Sequence, residues 1–272
     1  MKIAVSGGSG ELGRNLVPYL LEQHHHVVVM DWALPTNRLQ GAEYLVVDMR
    51  DYDKVVGALH ACDWLVHLAA HRSMLNHPDV LYNDNTASSY NALSAAAALG
   101  MTRVCLASSV NAIGGGFSRV PRYDYFPLDE QHPTYAEDPY SLSKWVLEQQ
   151  ADAFARRYPT MQIASLRFHW LTESRESAIH SIAGHGEAAA RHLWSYTLLR
   201  EASRACLLAL TTDFAGHEVF FITAPRTAAN TSSLDLARKY YPLSEILGDL
   251  TDHTAFYSSS KAGRLLGWTH KD

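Results

Sequence analysis

Short apolar runs alternate along this chain with longer stretches in which apolar residues return every three or four positions. The short runs predict buried strands at 3–6 (IAVS), 26–31 (HVVVMD), 44–48 (YLVVD), 64–70 (WLVHLAA), 103–109 (RVCLASS) and 161–168 (MQIASLRF). The longer stretches predict helices at 11–23, 51–62, 83–100 and 141–158. Pro18 should kink or loosen the first helix because it lacks an N–H, and Gly100 is placed to cap the third. The strands are apolar throughout, so both faces of their sheet must be covered. This alternation predicts an α/β fold, a Rossmann-type doubly wound parallel sheet.

After residue 170 the alternation weakens. A helix is expected over 192–210 and a strand over 218–223, followed by short elements. Residues 111–139 are rich in Gly, Pro, Asp and aromatics without a period, which reads as a functional loop. The chain therefore divides into a core, 1–168, and a small substrate-binding region, 169–272, packed on it as one compact unit. There is no internal repeat and no linker.

Composition changes this picture little. The 272 residues are 47% hydrophobic and 19% charged, ordinary values for a globular chain. A net charge of −5 provides no basic footprint for nucleic acid or an anionic membrane. No apolar run approaches the roughly 18 residues that span a bilayer, and the opening MKIAV reads as a strand rather than a signal peptide. Cys62, Cys105 and Cys206 lie in apolar contexts without metal spacing, so buried thiols and a cytoplasmic setting are expected. The run His24-His25-His26 reads as a polar helix-to-strand loop and not as a metal site, since consecutive residues point in different directions.

Chemistry enters with the first turn. Gly7, Gly10 and Gly13 make a GxxGxxG between the first strand and the first helix. Such a turn lets backbone approach a pyrophosphate and aims the helix N-terminus, with its free N–H groups, at the phosphates. The spacing alone is a weak signal. Asp31 strengthens it: an acid at the end of the second strand can accept hydrogen bonds from the adenosine ribose. The same carboxylate repels a 2′-phosphate, which favours NAD over NADP, with Arg38 nearby as the opposing signal.

Tyr140 and Lys144 form YxxxK at the start of a predicted helix, on one face about one turn apart. An unperturbed phenol, with a pKa of about 10, is a poor base at neutral pH. A lysine cation and a positive nicotinamide ring stabilise the phenolate, which could then take a proton from a substrate hydroxyl as hydride leaves. Ser108 and Ser109 close the fifth strand at the carboxyl edge of the sheet, where a hydroxyl can polarise a substrate oxygen. Without YxxxK these serines would read as a strand-end cap.

Together these pieces resemble the extended short-chain dehydrogenase/reductase family, the NAD-dependent epimerase/dehydratase group. The matching segments are SGGSGELG, Asp31, VVDMRD with Asp48, HLAA (67–70), NTASSYNAL from Asn85, ASSVNAIG (107–114), YSLSK and SSSKAGRLLGW (258–268). The resemblance implies that Gly7, Gly10 and Gly13 hold the pyrophosphate of NAD, with Gly8, Ser9, Glu11 and Leu12 lining the turn. It puts Asp31 on the ribose, Asp48 and Met49 beside the adenine, and Leu68, Ala69 and Ala70 along the cofactor. Ser109, Tyr140 and Lys144 become the catalytic set, with Ser108 beside them and Asn85 ordering the site.

Two segments depart from the family pattern. The usual Arg-x-x-Asn-x-Tyr-Gly-Pro is replaced after Arg167 by RFHWLTES, and the usual Tyr-Gly after the serines is Ile113-Gly114. Both fall where substrate is read. Contacts to substrate are expected from 71–77, 111–136 and 168–195, with His71, Asn111 and Ser109 among them. Only about 100 residues follow Arg167, a compactness most similar to the uronate dehydrogenase branch, where an arginine after the sixth strand binds the sugar carboxylate. Arg191 is the positional candidate, although a surface arginine reads equally well.

The resulting expectation is an NAD-dependent oxidoreductase acting on a small hydroxylated substrate, a sugar or sugar acid, as a homodimer. The alternatives are an NAD-retaining nucleotide-sugar epimerase/dehydratase and a non-catalytic NAD-sensing protein.

Overall fold

The computed structural model describes residues 1–272 apart from 73–76, 184, 187 and 272. The chain runs β1 (Lys2–Ser6), α1 (Gly13–Glu22), β2 (His26–Asp31), β3 (Ala42–Val46), α2 (Tyr52–Leu59), β4 (Trp64–His67), α3 (Pro78–Ala98) and β5 (Arg103–Ser109). It continues through β6 (Tyr125–Phe126), α4 (Pro139–Arg157), β7 (Gln162–Phe168), β8 (Leu171–Thr172), α5 (Arg175–Ala183), α6 (Ala188–Arg191) and β9 (Thr197–Leu198). It ends with α7 (Leu199–Thr211), β10 (His217–Ile222), α8 (Ser233–Tyr240), β11 (Glu245–Ile246) and α9 (Ser260–Leu266).

Seven strands form one parallel sheet in the order β10-β7-β5-β4-β1-β2-β3. Strand order reverses between β1 and β4, where Ser6 lies opposite His67, so a crevice opens at their carboxyl ends. As the apolar strands require, both faces are covered. Leu16, Val17 and Leu20 of α1 share one core with Ala202, Cys206 and Leu210 of α7 and with Leu266 of α9. On the other face Val55 and Leu59 of α2 join Ala92 and Leu93 of α3 and Leu147 and Phe154 of α4. Among the described residues no helix is long and apolar enough to cross a membrane.

Helix α4 starts where its sequence demands: Asp138 caps it by accepting from the Ser141 N–H at 2.9 Å, and Pro139 takes the first turn. Helix α1 runs unbroken through Pro18, because its buried face is anchored by packing on α7. Gly100 follows the end of α3 with φ +71°, as a capping glycine does.

One helix differs from expectation. The stretch 192–210 is helical only from Leu199. Leu193 and Trp194 adopt left-handed backbone, with φ +49° and +48°, and β9 then pairs with β8 through Leu171–Thr197 and Thr172–Leu198. Non-glycine residues take that conformation only where packing holds them; both side chains are buried in a second core, with Tyr196, Phe221 and Phe256. The residues after 168 contribute α7, α9 and the edge strand β10 to the main body as well as this second core.

Candidate active site

A single cavity of about 1390 Å³ follows the carboxyl ends of β2, β1, β4, β5 and β7. That exceeds the ~300–1,000 Å³ common for one small ligand and suits a dinucleotide with a substrate beside it. Every cofactor, catalytic and substrate residue expected from sequence lines it except Arg191.

The glycine turn is built by close approach. Gly7 has φ +70°, and a Cβ there would lie 2.6 Å from the Ala69 nitrogen. A Cβ on Gly13 would collide with the backbone of Gly8. No side chain caps the N-terminus of α1; the N–H groups of Arg14, Asn15 and Leu16 donate to the Gly10 and Leu12 carbonyls, and the positive end of the helix dipole lies at the cavity. Asp31, buried at the end of β2, accepts from the Ser9 N–H at 2.9 Å, so the carboxylate is fixed to the turn. The Ser9 hydroxyl is buried without a hydrogen-bond partner. These are the fittings of a pyrophosphate and ribose site. Arg38 stands over the Tyr44 ring, 5.7 Å from its centroid, and is not part of the cavity wall.

Further along, hydrogen bonds from Arg50 hold the Asp48 carboxyl down to about 2. Met49 uses its carbonyl to accept from Asn91 Nδ2 at 3.0 Å. Leu68, Ala69 and Ala70 line the wall as expected, and the following His71 is clamped by Asn85, which accepts from its N–H at 2.7 Å and donates to its carbonyl at 3.0 Å. Asn85 also donates to Ser143 Oγ at 3.1 Å, tying this loop to α4. His71 pairs with Asp84 at 3.2 Å. Glu11 binds Arg72 at 2.8 Å, a bridge from the glycine turn to the loop after β4.

At the far end Ser109, Tyr140 and Lys144 converge, all buried. Burial pushes the Tyr140 phenol above its ordinary value; the Ser109 hydroxyl facing it and the Arg72 charge work the other way. Burial lowers Lys144 to about 8, against the pull of Glu148. The Lys144 ammonium donates to the Ala107 carbonyl at 2.6 Å and stands 5.8 Å from the Tyr140 ring centroid. Ser109 Oγ accepts from the Asn111 N–H at 3.1 Å, and Asn111 Oδ1 accepts from the Gly116 N–H at 3.1 Å. Asn111 thus folds the Gly114–Gly116 loop over the site. Among the described residues no group of three His, Cys, Asp or Glu could hold a metal.

Two residues are placed otherwise than the sequence suggested. Ser108 borders the cavity, but its hydroxyl donates at 2.6 Å to Glu148, which Arg167 holds from behind. Arg191 is exposed and donates to the Ser118 carbonyl at 2.9 Å. The left-handed turn at Leu193–Trp194 follows directly, and the residue that lines the cavity is His192. Arg191 therefore does not line this cleft, although its charge reaches His192.

Sequence reasoning did not single out Glu148, Phe117, Phe168, His169, Trp170 or His192. Glu148 had a signal, since it lies one turn past Lys144 at i, i+4. Phe168 ends the predicted strand 161–168 and His192 opens the predicted helix 192–210, while Phe117, His169 and Trp170 lie in segments without periodicity.

The sequence profile of the NAD dependent epimerase/dehydratase family matches residues 3–178. The chain belongs to that family. NAD is its cofactor, in keeping with the cradle described above. A dTDP-6-deoxy-L-talose 4-dehydrogenase (NAD(+)) of Aggregatibacter actinomycetemcomitans is 29% identical over 63% of this chain and 62% of its own. The chain spans less than two thirds of the length of these curated relatives, 62% of that one and 54% of a putative UDP-glucose 4-epimerase of Methanocaldococcus jannaschii. A short-chain dehydrogenase/reductase superfamily protein from Agrobacterium tumefaciens with bound NAD shares the fold with a TM-score of 0.75 at 23% identity, covering 100% of this chain and 93% of that one. A mutated uronate dehydrogenase shares it at 0.69 and 20% identity, covering 100% and 82%.

Proposed function

We propose that the protein is an NAD-dependent dehydrogenase that oxidises a secondary hydroxyl of a small substrate of the sugar type. The observation that carries this is the convergence of Ser109, Tyr140 and Lys144 at one end of the NAD cleft, with open cavity beyond them. The residues after 168 supply the outer wall of that space through Trp170 and His192.

In the oxidising direction Tyr140, as phenolate, takes the proton of the substrate hydroxyl at its phenol oxygen. Ser109 donates to the same substrate oxygen and so favours the developing carbonyl. NAD, which the glycine turn and Asp31 would hold, would supply the acceptor for the hydride lost from the hydroxyl-bearing carbon and a positive ring that favours the phenolate. Lys144 keeps a positive charge in a dry site, where it counts for more than in water. Burial alone raises the phenol, so Tyr140 is a base only with such charges beside it. All three side chains are themselves buried, which limits the water that reaches them.

We place the enzyme in the cytoplasm as a homodimer, which size-exclusion chromatography with light scattering would check. The activity test is NADH formation by purified protein across free sugars, uronic acids and nucleotide sugars. Net NADH from a free hydroxylated compound supports the reading. Interconversion of sugars without release of NADH would instead make this an epimerase that keeps its cofactor.

A further inference from the structure

The outer wall of the cavity is aromatic. Phe117 meets Tyr140 edge-on, with centroids 5.6 Å apart at 86°, and Trp170 and His192 stand beyond it with centroids 6.4 Å apart. The imidazole of His192 is braced on three sides, by Phe117 at 6.4 Å, by His169 at 6.1 Å and by Gly116. Gly116 is required there, because a Cβ would come within 2.6 Å of Nδ1 of His192. His169 fixes the neighbouring backbone by accepting from the Trp170 N–H at 2.6 Å. Burial, followed by the charges of His185 and Arg191, lowers the pKa of His192, so its ring is neutral at physiological pH.

Among the described residues, the cations near this wall each already have a hydrogen-bond partner. Arg191 is turned to Ser118, Arg167 is locked on Glu148, Lys144 is on Ala107, and Arg72 is paired with Glu11. The residues outside the described set, among them Ser73, Met74, Leu75 and Asn76, include no Lys or Arg. A carboxylate or diphosphate seated here would lose its hydration and would have to draw a cation away from an existing partner, which is costly.

We propose that the substrate is an uncharged ring bearing a secondary hydroxyl, its apolar face laid on Phe117 and Trp170 and a second oxygen bonded to His192. This rests on the dehydrogenase reading and narrows it: sugar acids and nucleoside-diphosphate sugars are excluded. A neutral pyranose and an aryl-fused cyclic alcohol share the required chemistry, an apolar ring face with a hydroxyl at its edge.

The test is binding to the NADH-loaded protein, by ligand-observed NMR titration, of D-glucose, 1-tetralol, D-glucuronate and UDP-glucose, with NADH formation measured separately on the NAD-loaded protein. At least one neutral probe should bind about tenfold or more tightly than either anion, a difference of about 1.4 kcal/mol. His192→Ala and Trp170→Ala should each remove most of that preference, with NADH affinity kept as the check on folding. His192→Gln, which restores a hydrogen-bonding group, should recover part of it. Glucose against tetralol then decides between the two neutral sources. Tighter binding of glucuronate or UDP-glucose, no binding by any probe, or a preference indifferent to both variants overturns the proposal. An anionic preference abolished by Arg72→Ala would mean that the Glu11 bridge opens to take substrate. Should neutral probes bind through His192 while Tyr140→Phe leaves turnover intact, the dehydrogenase mechanism fails and the binding assignment survives.

Discussion

Arg167 grips Glu148 through two hydrogen bonds, Nε at 2.9 Å and Nη2 at 2.8 Å, with both side chains shut away from solvent. Glu148 lies one turn beyond Lys144 on α4, and Arg167 lies at the end of β7, so the pair bolts the catalytic helix to the sheet beneath Ser108. Removing one partner leaves an uncompensated buried charge. Glu148→Ala or Arg167→Ala should therefore cost about 3–5 kcal/mol, and a Glu148→Leu/Arg167→Met double variant should cost less than either. Urea denaturation of the three proteins measures this, and equal losses in singles and double would refute it.

Asp31 sets cofactor choice. Its carboxylate is fixed by Ser9, so a 2′-phosphate on the ribose it holds would meet like charge; Arg14 and Arg50 also line the wall, the latter paired with Asp48. NAD should bind at least about tenfold more tightly than NADP, a gap of about 1.4 kcal/mol. Calorimetric titration with both cofactors reads the ratio directly, and equal affinities would remove Asp31 from the ribose.

Tyr140→Phe deletes the proposed base while keeping its shape and its edge contact with Phe117. Turnover should fall by about a hundredfold or more, the usual worth of a placed base, with the melting temperature little changed. Lys144 is lowered to about 8, so it is charged below that pH and neutral above it. Turnover should therefore decline as pH rises through about 8, and Lys144→Arg, which cannot lose its charge there, should remove the decline if it remains active. A wild-type rate that is flat across this range would dissociate Lys144 from the phenolate.

His67 and His169 are both pushed down to about 3, chiefly by burial. Between about 3 and the ordinary 6.5 the unfolded chain binds a proton at each while the folded chain does not. Stability should thus rise with pH across this window and fall on acidification, by at most roughly 1.4 kcal/mol per pH unit for each histidine. Denaturation midpoints at about pH 7 and about pH 5 test it, and His169→Gln should flatten the slope.

What the amino-acid sequence determined is the chemistry written in local spacing. A turn of GxxGxxG needs only the strand before it and the helix after it, and Gly13 admits no side chain because Gly8 of the same turn is in the way, whereas Gly7 is closed off by Leu68 and Ala69 after β4. Tyr140 and Lys144 share a face because helical geometry puts i and i+4 together, and Asp31 reaches the cleft because β2 ends there. That the sheet is parallel and covered on both faces followed from the unbroken apolar character of its strands and the helices between them; the order of the strands did not. What only the tertiary structure decided concerns contacts between residues far apart in sequence. Arg191 and His192 differ by one position, and the left-handed turn after them sends one to the surface and the other to the cavity. Ser108 turns its hydroxyl to Glu148 because Arg167 has drawn that carboxylate behind the sheet. The aromatic wall gathers Phe117 and Trp170 from loops without a period and His192 from a stretch whose pattern predicted helix but which is helical only from Leu199. Their juxtaposition is produced by packing of the whole chain, and nothing in the residues beside them in sequence encodes it.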